Sequence, residues 1–120
     1  MPEEQSDRGD IRVLRVREAV VVTLRGDHDL STKAGVTDAL RRLNRERRVV
    51  IDLRQCTFVD STIIGAILAA CRGDSARDPH VSVVMPGDTS YVYRALSVIG
   101  LSDLVPAHLS IEAALEATPP

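Results

Sequence analysis

The sequence predicts a single α/β domain: a small mixed sheet of about four or five strands, flanked by about four α-helices. Three observations lead to this prediction. The chain has 120 residues, a length that suits one domain rather than two. Two strand-like runs near its start are separated by only two residues, which is typical of an antiparallel pair. Helix-type and strand-type patterns then alternate along the chain, which indicates parallel strands joined by helical crossovers.

The first two predicted elements are the antiparallel strands. Residues 11–16 alternate apolar and polar side chains, as a half-exposed strand does. Residues 19–24 are rich in β-branched side chains, which favour strands. Arg17 and Glu18 are left for the tight turn between them, and Gly26 is expected to end the second strand.

The middle of the chain predicts a helix, a buried strand and a second helix. Residues 31–44 carry apolar side chains on one helical stripe. Residues 49–53 are almost continuously apolar, which fits a central strand covered on both faces. Residues 61–72 again follow a helical pattern and form the second predicted helix.

The last third of the chain completes the pattern. Residues 81–85 are predicted to form a strand, and residues 89–99 a helix that ends at Gly100, a common C-terminal signal. We expect a short edge strand at residues 104–105. A final helix is predicted for residues 110–116.

Both ends of the chain are predicted to be flexible tails, at residues 1–10 and 118–120, so that the folded domain spans residues 11–117. The polar, acidic start lacks the basic and apolar regions of a signal peptide. The longest apolar runs fall far short of the roughly 20 residues that a membrane span needs. We therefore expect a cytoplasmic protein that does not insert into membranes.

Composition and motifs argue against several functions. A net charge of −2 and only 2% aromatic residues do not favour a nucleic-acid partner, which needs positive charge and stacking platforms. Glycine-rich phosphate loops, G-x-S-x-G and H-E-x-x-H are all absent from the sequence. We interpret His28, His80 and His108 as surface or loop residues rather than metal ligands, and we expect no enzyme activity, metal or cofactor. A hydrolase that uses Ser61 as a nucleophile is the remaining enzymatic alternative, although no pattern supplies Ser61 with a base.

Two further groups of residues have simple structural interpretations. Cys56 and Cys71 lie in apolar stretches and are predicted to be reduced core residues. Five arginines lie at and just beyond the end of the first predicted helix, where cations favour the helix dipole. We interpret them as a solvated helix end rather than a site for an anionic partner: Arg41, Arg42, Arg45, Arg47 and Arg48.

The second predicted helix has an unusual exposed face. Its apolar sector is predicted to face the sheet and contains Ile63, Ile64, Ile67, Leu68 and Cys71. The opposite sector is made of small residues apart from one arginine, and contains Ser61, Thr62, Gly65, Ala66, Ala69, Arg72 and Gly73. A face of small residues lets another backbone approach closely. We therefore predict that it docks a partner, and a weak homodimer is one way to use it.

Ser61 stands at the tip of this face and is a candidate switch. In the simplest interpretation, Asp60 and Ser61 only cap the helix. Phosphate on Ser61 would add a charge of about −1.5 to −2 close to Asp60. The helix N-terminus tolerates an anion, so the fold should survive while a partner that fits the bare surface is repelled. Thr62 is the alternative site of modification.

The same residues carry a resemblance to a known family. Residues 49–53, the D-S-T motif at residues 60–62 and the stretch 65–68 resemble the signature of STAS domains, the sulphate-transporter and anti-sigma-factor-antagonist domains. The segment G-D-H-D-L-S-T at residues 26–32 resembles the G-E-L-D loop that precedes the first helix in that family. The resemblance covers residues 11–117 and implies a STAS-like fold.

The resemblance implies a bacterial anti-sigma factor antagonist. In such proteins the unphosphorylated form binds an anti-sigma factor that is also a GHKL-type serine kinase, and the sigma factor is freed for transcription. The kinase phosphorylates the serine of the motif, here Ser61, and a PP2C-type phosphatase removes the phosphate. By position, Asp60 is the acidic residue of the motif. Asp29 is the aspartate of the loop, expected near the switch and in contact with the partner.

The sequence also departs from the family pattern. Ile63 stands where the family commonly has glycine, and Asp27 and His28 replace the usual Glu and Leu of the loop. The helix should tolerate Ile63, although a branched residue there could narrow access for a kinase or change the choice of partner. One alternative stays open: a STAS module that works without phosphorylation, either as a subunit of a signalling or lipid-transport assembly or as a binder of a small ligand such as a nucleotide.

Overall fold

The computed structural model describes residues 9–72 and 80–117. Residues 1–8 of the predicted N-terminal tail and the predicted tail at residues 118–120 lie outside the described residues, and so does Gly73 of the predicted docking face. The first strand begins at Asp10, one residue inside the predicted tail.

The described residues form six strands and five helices. The predicted mixed α/β fold is confirmed, and the structure has one strand and one helix more than the sequence predicted. The strands are β1 (Asp10–Val16), β2 (Ala19–His28), β3 (Arg48–Asp52), β4 (Cys56–Val59), β5 (His80–Val84) and β6 (Ala107–His108). The helices are α1 (Leu30–Arg41), α2 (Ser61–Cys71), α3 (Tyr91–Val98), α4 (Leu101–Leu104) and α5 (Ile111–Glu116).

The sheet has the order β1-β2-β3-β5-β6. β1 and β2 are antiparallel, as the two-residue connection predicted, and the other neighbouring strands are parallel. β4 lies off this path and pairs with the end of β2 in parallel. Because parallel strands place their carboxyl ends at one edge, β2 and β4 deliver the N-termini of α1 and α2 side by side.

Gly26 allows β2 to change its pairing partner rather than ending the strand. Its φ of 76° lies in the region that favours glycine, and the register shifts between Gly26 and Asp27. Before this point β2 pairs with β3, and after it β2 pairs with β4. The prediction that the strand ends at Gly26 is wrong because the bulge redirects the strand, which continues to His28.

The sheet is covered on both faces. A large core lies between the sheet and α1 to α4, and its helical members include Val36, Ile63, Ile67, Val92, Leu96 and Leu101. A smaller core lies under α5 and consists of Val21, Val50, Val84 and Ala114. Alternate residues of β3 point into the two cores, which explains the continuous apolar run at residues 49–53.

Two further predictions need correction. Residues 104–105 are not an edge strand, because Leu104 ends α4 and the Val105 N–H donates to the Leu101 carbonyl. The edge strand is β6, immediately after Pro106. β4 escaped prediction because its four residues are too few to show a strand pattern.

Candidate functional site

The D-S-T motif forms the N-terminus of α2, directly after β4. One carboxylate oxygen of Asp60 accepts the Thr62 N–H at 3.1 Å, the Ile63 N–H at 3.1 Å and the Thr62 hydroxyl at 2.6 Å. The Thr62 hydroxyl, together with the backbone N–H groups, holds the pKa of Asp60 below its ordinary value. Asp60 is therefore an ionised cap at neutral pH.

Ser61 is the exposed hydroxyl of this motif. It occupies the first helical position of α2 and makes no side-chain hydrogen bond to another described residue. Among the described residues, no histidine is hydrogen-bonded to Ser61. The Thr62 hydroxyl, by contrast, is half-buried and already donates to Asp60.

The N-terminus of α1 lies beside that of α2. Asp29 caps α1, accepting the Ser31 hydroxyl at 2.6 Å and the Ser31 N–H at 2.9 Å. These bonds lower the pKa of Asp29, while the nearby charge of Asp60 opposes them. The Leu30 N–H in turn helps to lower the pKa of Asp60. The structure thus brings Asp29 close to Asp60 and Ser61, the placement that the family resemblance implied; their roles in partner binding stay predictions.

His28 is buried next to this cluster, so its interpretation as a surface or loop residue is wrong. It is the last residue of β2 and is 0% exposed. Its Nε2 lies 3.1 Å from both the Asp10 and the Arg25 carbonyl oxygens, so Nε2 carries the proton. Its Nδ1 lies 3.0 Å from the hydroxyl of Thr32, which completes the capping box of α1. His28 therefore ties β1 and β2 to the first turn of α1.

The other two histidines also lie in strands, half-buried, at the start of β5 and in β6. Burial, with the nearby charge of Arg48, lowers the pKa of His80. In the part of the chain that the structure describes, His, Cys, Asp and Glu side chains form no group of three that could hold a metal ion. None of the described helices is both long and apolar enough to cross a membrane.

The small residues of α2 form one wall of a groove against α1. Ser61, Gly65, Ala69 and Arg72 are exposed, whereas Thr62 and Ala66 are half-buried. The groove has a volume of about 690 Å³ and is lined by Lys33, Thr37, Leu40, Arg41, Asn44, Val49, Ser61, Thr62, Gly65, Ala66, Ala69, Ala70 and Val81. Arg72 caps the C-terminus of α2 and does not line it.

The α1 wall of this groove was missed by sequence reasoning. Lys33, Thr37 and Arg41 repeat every four residues and so share one helical stripe. The spacing can be read from the sequence, but these residues line a groove only because α1 packs against α2. Arg41 had been assigned only to a solvated helix end.

The other arginines of that cluster have different environments. Arg42 pairs with Asp38 at 3.1 Å on the exposed side of α1, as a solvated helix end would. Arg48 instead donates to the carbonyls of Ala114 at 2.6 Å, Leu115 at 2.9 Å and Ala117 at 2.7 Å. Arg48 therefore holds the C-terminal end of α5, and its interpretation as part of a solvated helix end is wrong.

Ile63 is fully buried in the main core, with 0% exposure. Its side chain points away from the exposed face of α2, so the residue that replaces the family glycine does not narrow access to Ser61. Both cysteines are free. Burial raises the pKa of the Cys56 thiol to about 11 and that of the Cys71 thiol to about 12, which fits unreactive residues.

Comparison with known proteins agrees with this geometry. A family model described as "Mlab, STAS domain" matches residues 11–106. The chain belongs to the STAS domain family. Among curated proteins, none matches this STAS domain in sequence.

Several solved structures share the fold. An anti-sigma factor antagonist from Mycobacterium paratuberculosis superposes with a TM-score of 0.80 at 22% identity, over 91% of this chain and 92% of that chain. The unphosphorylated anti-sigma factor antagonist SpoIIAA gives a TM-score of 0.65 at 18% identity, over 87% and 92%. The phosphorylated form of the Bacillus cell fate determinant SpoIIAA gives 0.58 at 20% identity, over 89% and 97%. At such identities the likeness establishes the fold.

Proposed function

We propose that this STAS domain is an anti-sigma factor antagonist whose docking to an anti-sigma factor is switched off by phosphate on Ser61. The observation that carries the proposal is the exposed Ser61 hydroxyl, at the first turn of α2 and at the mouth of the α1–α2 groove. The likeness to anti-sigma factor antagonists supports the class of partner. The kinase would be the GHKL-type domain of the anti-sigma factor, and a PP2C-type phosphatase would reverse its action.

Electrostatics give the switch its physical basis. Asp29 and Asp60 already place two ionised carboxylates beside Ser61, because both pKa values are lowered. A phosphate would change the local charge from −2 to about −3.5 to −4. Since Asp60 already uses the Thr62 and Ile63 N–H groups, a phosphate on Ser61 would compete for them or remain exposed on the docking face. A partner that fits the uncharged face would then be repelled.

Accessibility and hydrogen bonding favour Ser61 over Thr62 as the residue that a kinase would modify. The Ser61 hydroxyl is exposed, so a kinase can reach it without disturbing the helix. Modification of Thr62 would break its bond to Asp60 and disturb the cap of α2. We therefore assign the switch to Ser61.

Affinity capture from the native host tests the proposal. Native protein, Ser61→Ala and Ser61→Glu serve as parallel baits, and the retained proteins are identified by mass spectrometry. An anti-sigma factor with a kinase domain should be retained by the native and Ser61→Ala proteins and lost from Ser61→Glu. Equal retention of that protein by all three baits would overturn the switch.

A second function is favoured by the family match. The matching model is described as an Mlab STAS domain, and the D-S-T-I-I-G motif departs from the pattern common among antagonists. The alternative is a STAS module that joins a signalling or lipid-transport assembly without phosphorylation. It predicts that Ser61→Ala and Ser61→Glu both retain the same assembly and that no kinase modifies Ser61.

A further inference from the structure

Each of the two helices that wall the groove begins at an aspartate and ends at an arginine. Asp29 caps the N-terminus of α1 and Asp60 caps that of α2. Arg41 is the last residue of α1, and Arg72 caps the C-terminus of α2. In both helices the arginine comes twelve positions after the aspartate, which corresponds to about 18 Å along a helix axis. Lys33 lies between the two ends, on the α1 wall.

The two helices run side by side in the same direction. Both follow the carboxyl ends of paired parallel strands, β2 and β4. At one end the Leu30 N–H of α1 interacts with the Asp60 carboxylate. At the other end Arg41 of α1 lines the same groove as Ala69 of α2. The two aspartates therefore share one end of this face, and the two arginines share the opposite end.

These four charged side chains are not neutralised by ion pairs inside the domain. Asp29, Asp60, Arg41 and Arg72 make no salt bridge with another described residue. Both arginines are exposed and both aspartates are half-buried. Hydrogen bonds keep the two carboxylates ionised at neutral pH, and arginine is always charged. Both ends of the face therefore present charge to whatever covers it.

This arrangement of charges is complementary to itself. A second copy, turned by 180° about an axis that crosses the middle of both helices, places α2 antiparallel on α2 and α1 antiparallel on α1. Asp60 then lies at the level of Arg72 of the second copy, and Asp29 lies at the level of Arg41 of the second copy. Because a two-fold axis repeats every contact, the two copies form four aspartate–arginine pairs.

The middle of the face permits the close approach that these pairs need. Ser61, Gly65 and Ala69 share one exposed stripe of α2, and none has a bulky side chain. Gly65 lies next to the symmetry axis, which passes midway between residues 60 and 72. Packed helices approach to about 8–10 Å between their axes, with the distance set by the side chains at the contact. Small side chains therefore bring the two copies within reach of an arginine side chain.

We propose that the protein forms a two-fold symmetric dimer through this face, with α2 antiparallel to α2 of the second copy and four aspartate–arginine pairs at the ends. A parallel arrangement would instead bring the carboxylates of both copies together. The dimer covers Ser61, so it must separate before another protein reaches that side chain. The proposal does not rest on the switch at Ser61, because the dimer needs neither phosphate nor another protein.

Sedimentation equilibrium of the purified protein measures this association. Concentrations up to about 1 mM detect a dimer with a Kd in the millimolar range or below. Arg41→Gln with Arg72→Gln should raise the Kd at least about tenfold, as should about 0.5 M NaCl, which screens exposed ion pairs. The matched control is Arg12→Gln with Arg42→Gln, which removes the same charge from exposed residues outside the groove and should leave the Kd unchanged.

Disulfide formation tests the antiparallel register. In Gly65→Cys the new thiols lie next to the axis and meet, whereas in Ser61→Cys they lie about 15 Å apart along the helices, too far for a disulfide. The native thiols react slowly, because burial raises the pKa of Cys56 to about 11 and that of Cys71 to about 12. With each rate normalised to the reaction of that variant with a small disulfide reagent, Gly65→Cys should form a covalent dimer at least about tenfold faster than Ser61→Cys.

Three results would each overturn the proposal. The first is a monomer at every concentration. The second is an equal Kd in the two double arginine variants, which would show that these charges do not hold the copies together. The third is an equal normalised rate for the two cysteine variants, which would exclude the antiparallel register. None of these outcomes bears on capture of the anti-sigma factor by Ser61 variants.

Discussion

Replacing Gly65 with alanine should stabilise the protein while it weakens the docking face. Gly65 lies in the middle of α2 and is exposed, and apart from the backbone of α2 itself and the adjoining residues, no described heavy atom lies within 4 Å of the position its Cβ would take. Glycine costs a helix interior roughly 0.5–1 kcal/mol relative to alanine. Since no contact opposes this gain, the free energy of unfolding should rise by about 0.5–1 kcal/mol. For a domain of this size, Tm should rise by about 2–6 °C.

The same methyl group should weaken partner binding. It would project from the wall of small residues, where we propose that a partner backbone approaches closely. Overpacking of a close contact by one methyl group typically costs about 1–3 kcal/mol, which corresponds to roughly 5- to 150-fold weaker binding. Gly87→Ala is the matched control, because Gly87 lies outside the groove and a Cβ there also has open space.

Urea unfolding and titration of the captured partner measure the two effects. The reasoning requires opposite signs in one variant, with higher stability and lower affinity. A loss of stability in Gly65→Ala would show that the environment of this position is misjudged. Unchanged affinity, together with unchanged affinity in Gly87→Ala, would show that this face of α2 does not dock the partner.

Three further predictions concern stability. Ile63→Gly, which introduces the residue common in the family, should lower the free energy of unfolding by about 3–6 kcal/mol. The reason is that a fully buried side chain is lost and that glycine disfavours a helix interior. Urea unfolding checks this, and a loss below about 1 kcal/mol would contradict it. Arg48→Met should remove three hydrogen bonds to the C-terminal end of α5 and lower the hydrogen-exchange protection of α5, while α2 stays protected. An equal loss of protection in α5 and α2 would show that Arg48 does not act locally on α5. The pKa values of Asp29 and Asp60 are lowered in the folded state, so the two ionised carboxylates contribute fully to folding stability above about pH 4, and this contribution is lost as the pH falls further. The double variant Asp29→Asn with Asp60→Asn should therefore lose less stability between pH 4 and lower pH than the native protein. An equal loss in both proteins would contradict the assignment to these carboxylates.

The geometry around Ser61 was predictable because its determinants are local. A capping carboxylate, an exposed hydroxyl after it and a periodic face of small residues can all be identified within the segment from Asp60 to Arg72. The apolar period also placed Ile63 towards the core. These features follow from helix geometry alone, and the structure has the same arrangement.

What the sequence could not predict depends on contacts between distant segments. The stripe of Lys33, Thr37 and Arg41 lines the groove only because α1 packs beside α2. His28 is buried because β1 and the first turn of α1 close over it, and the single residue showed no sign of this. Gly26 looked like a strand end because its bulge is defined only by the pairing with β4.

Phosphorylation by the captured partner tests the central claim most directly. The native protein, in complex with the anti-sigma factor, is incubated with ATP, and both the site of modification and the fraction still bound are measured. We predict that phosphate appears on Ser61, that Ser61→Ala remains unmodified and bound, and that the modified native protein is released. A complex that stays intact with Ser61 fully phosphorylated, or modification that leaves Ser61 untouched, would contradict the account.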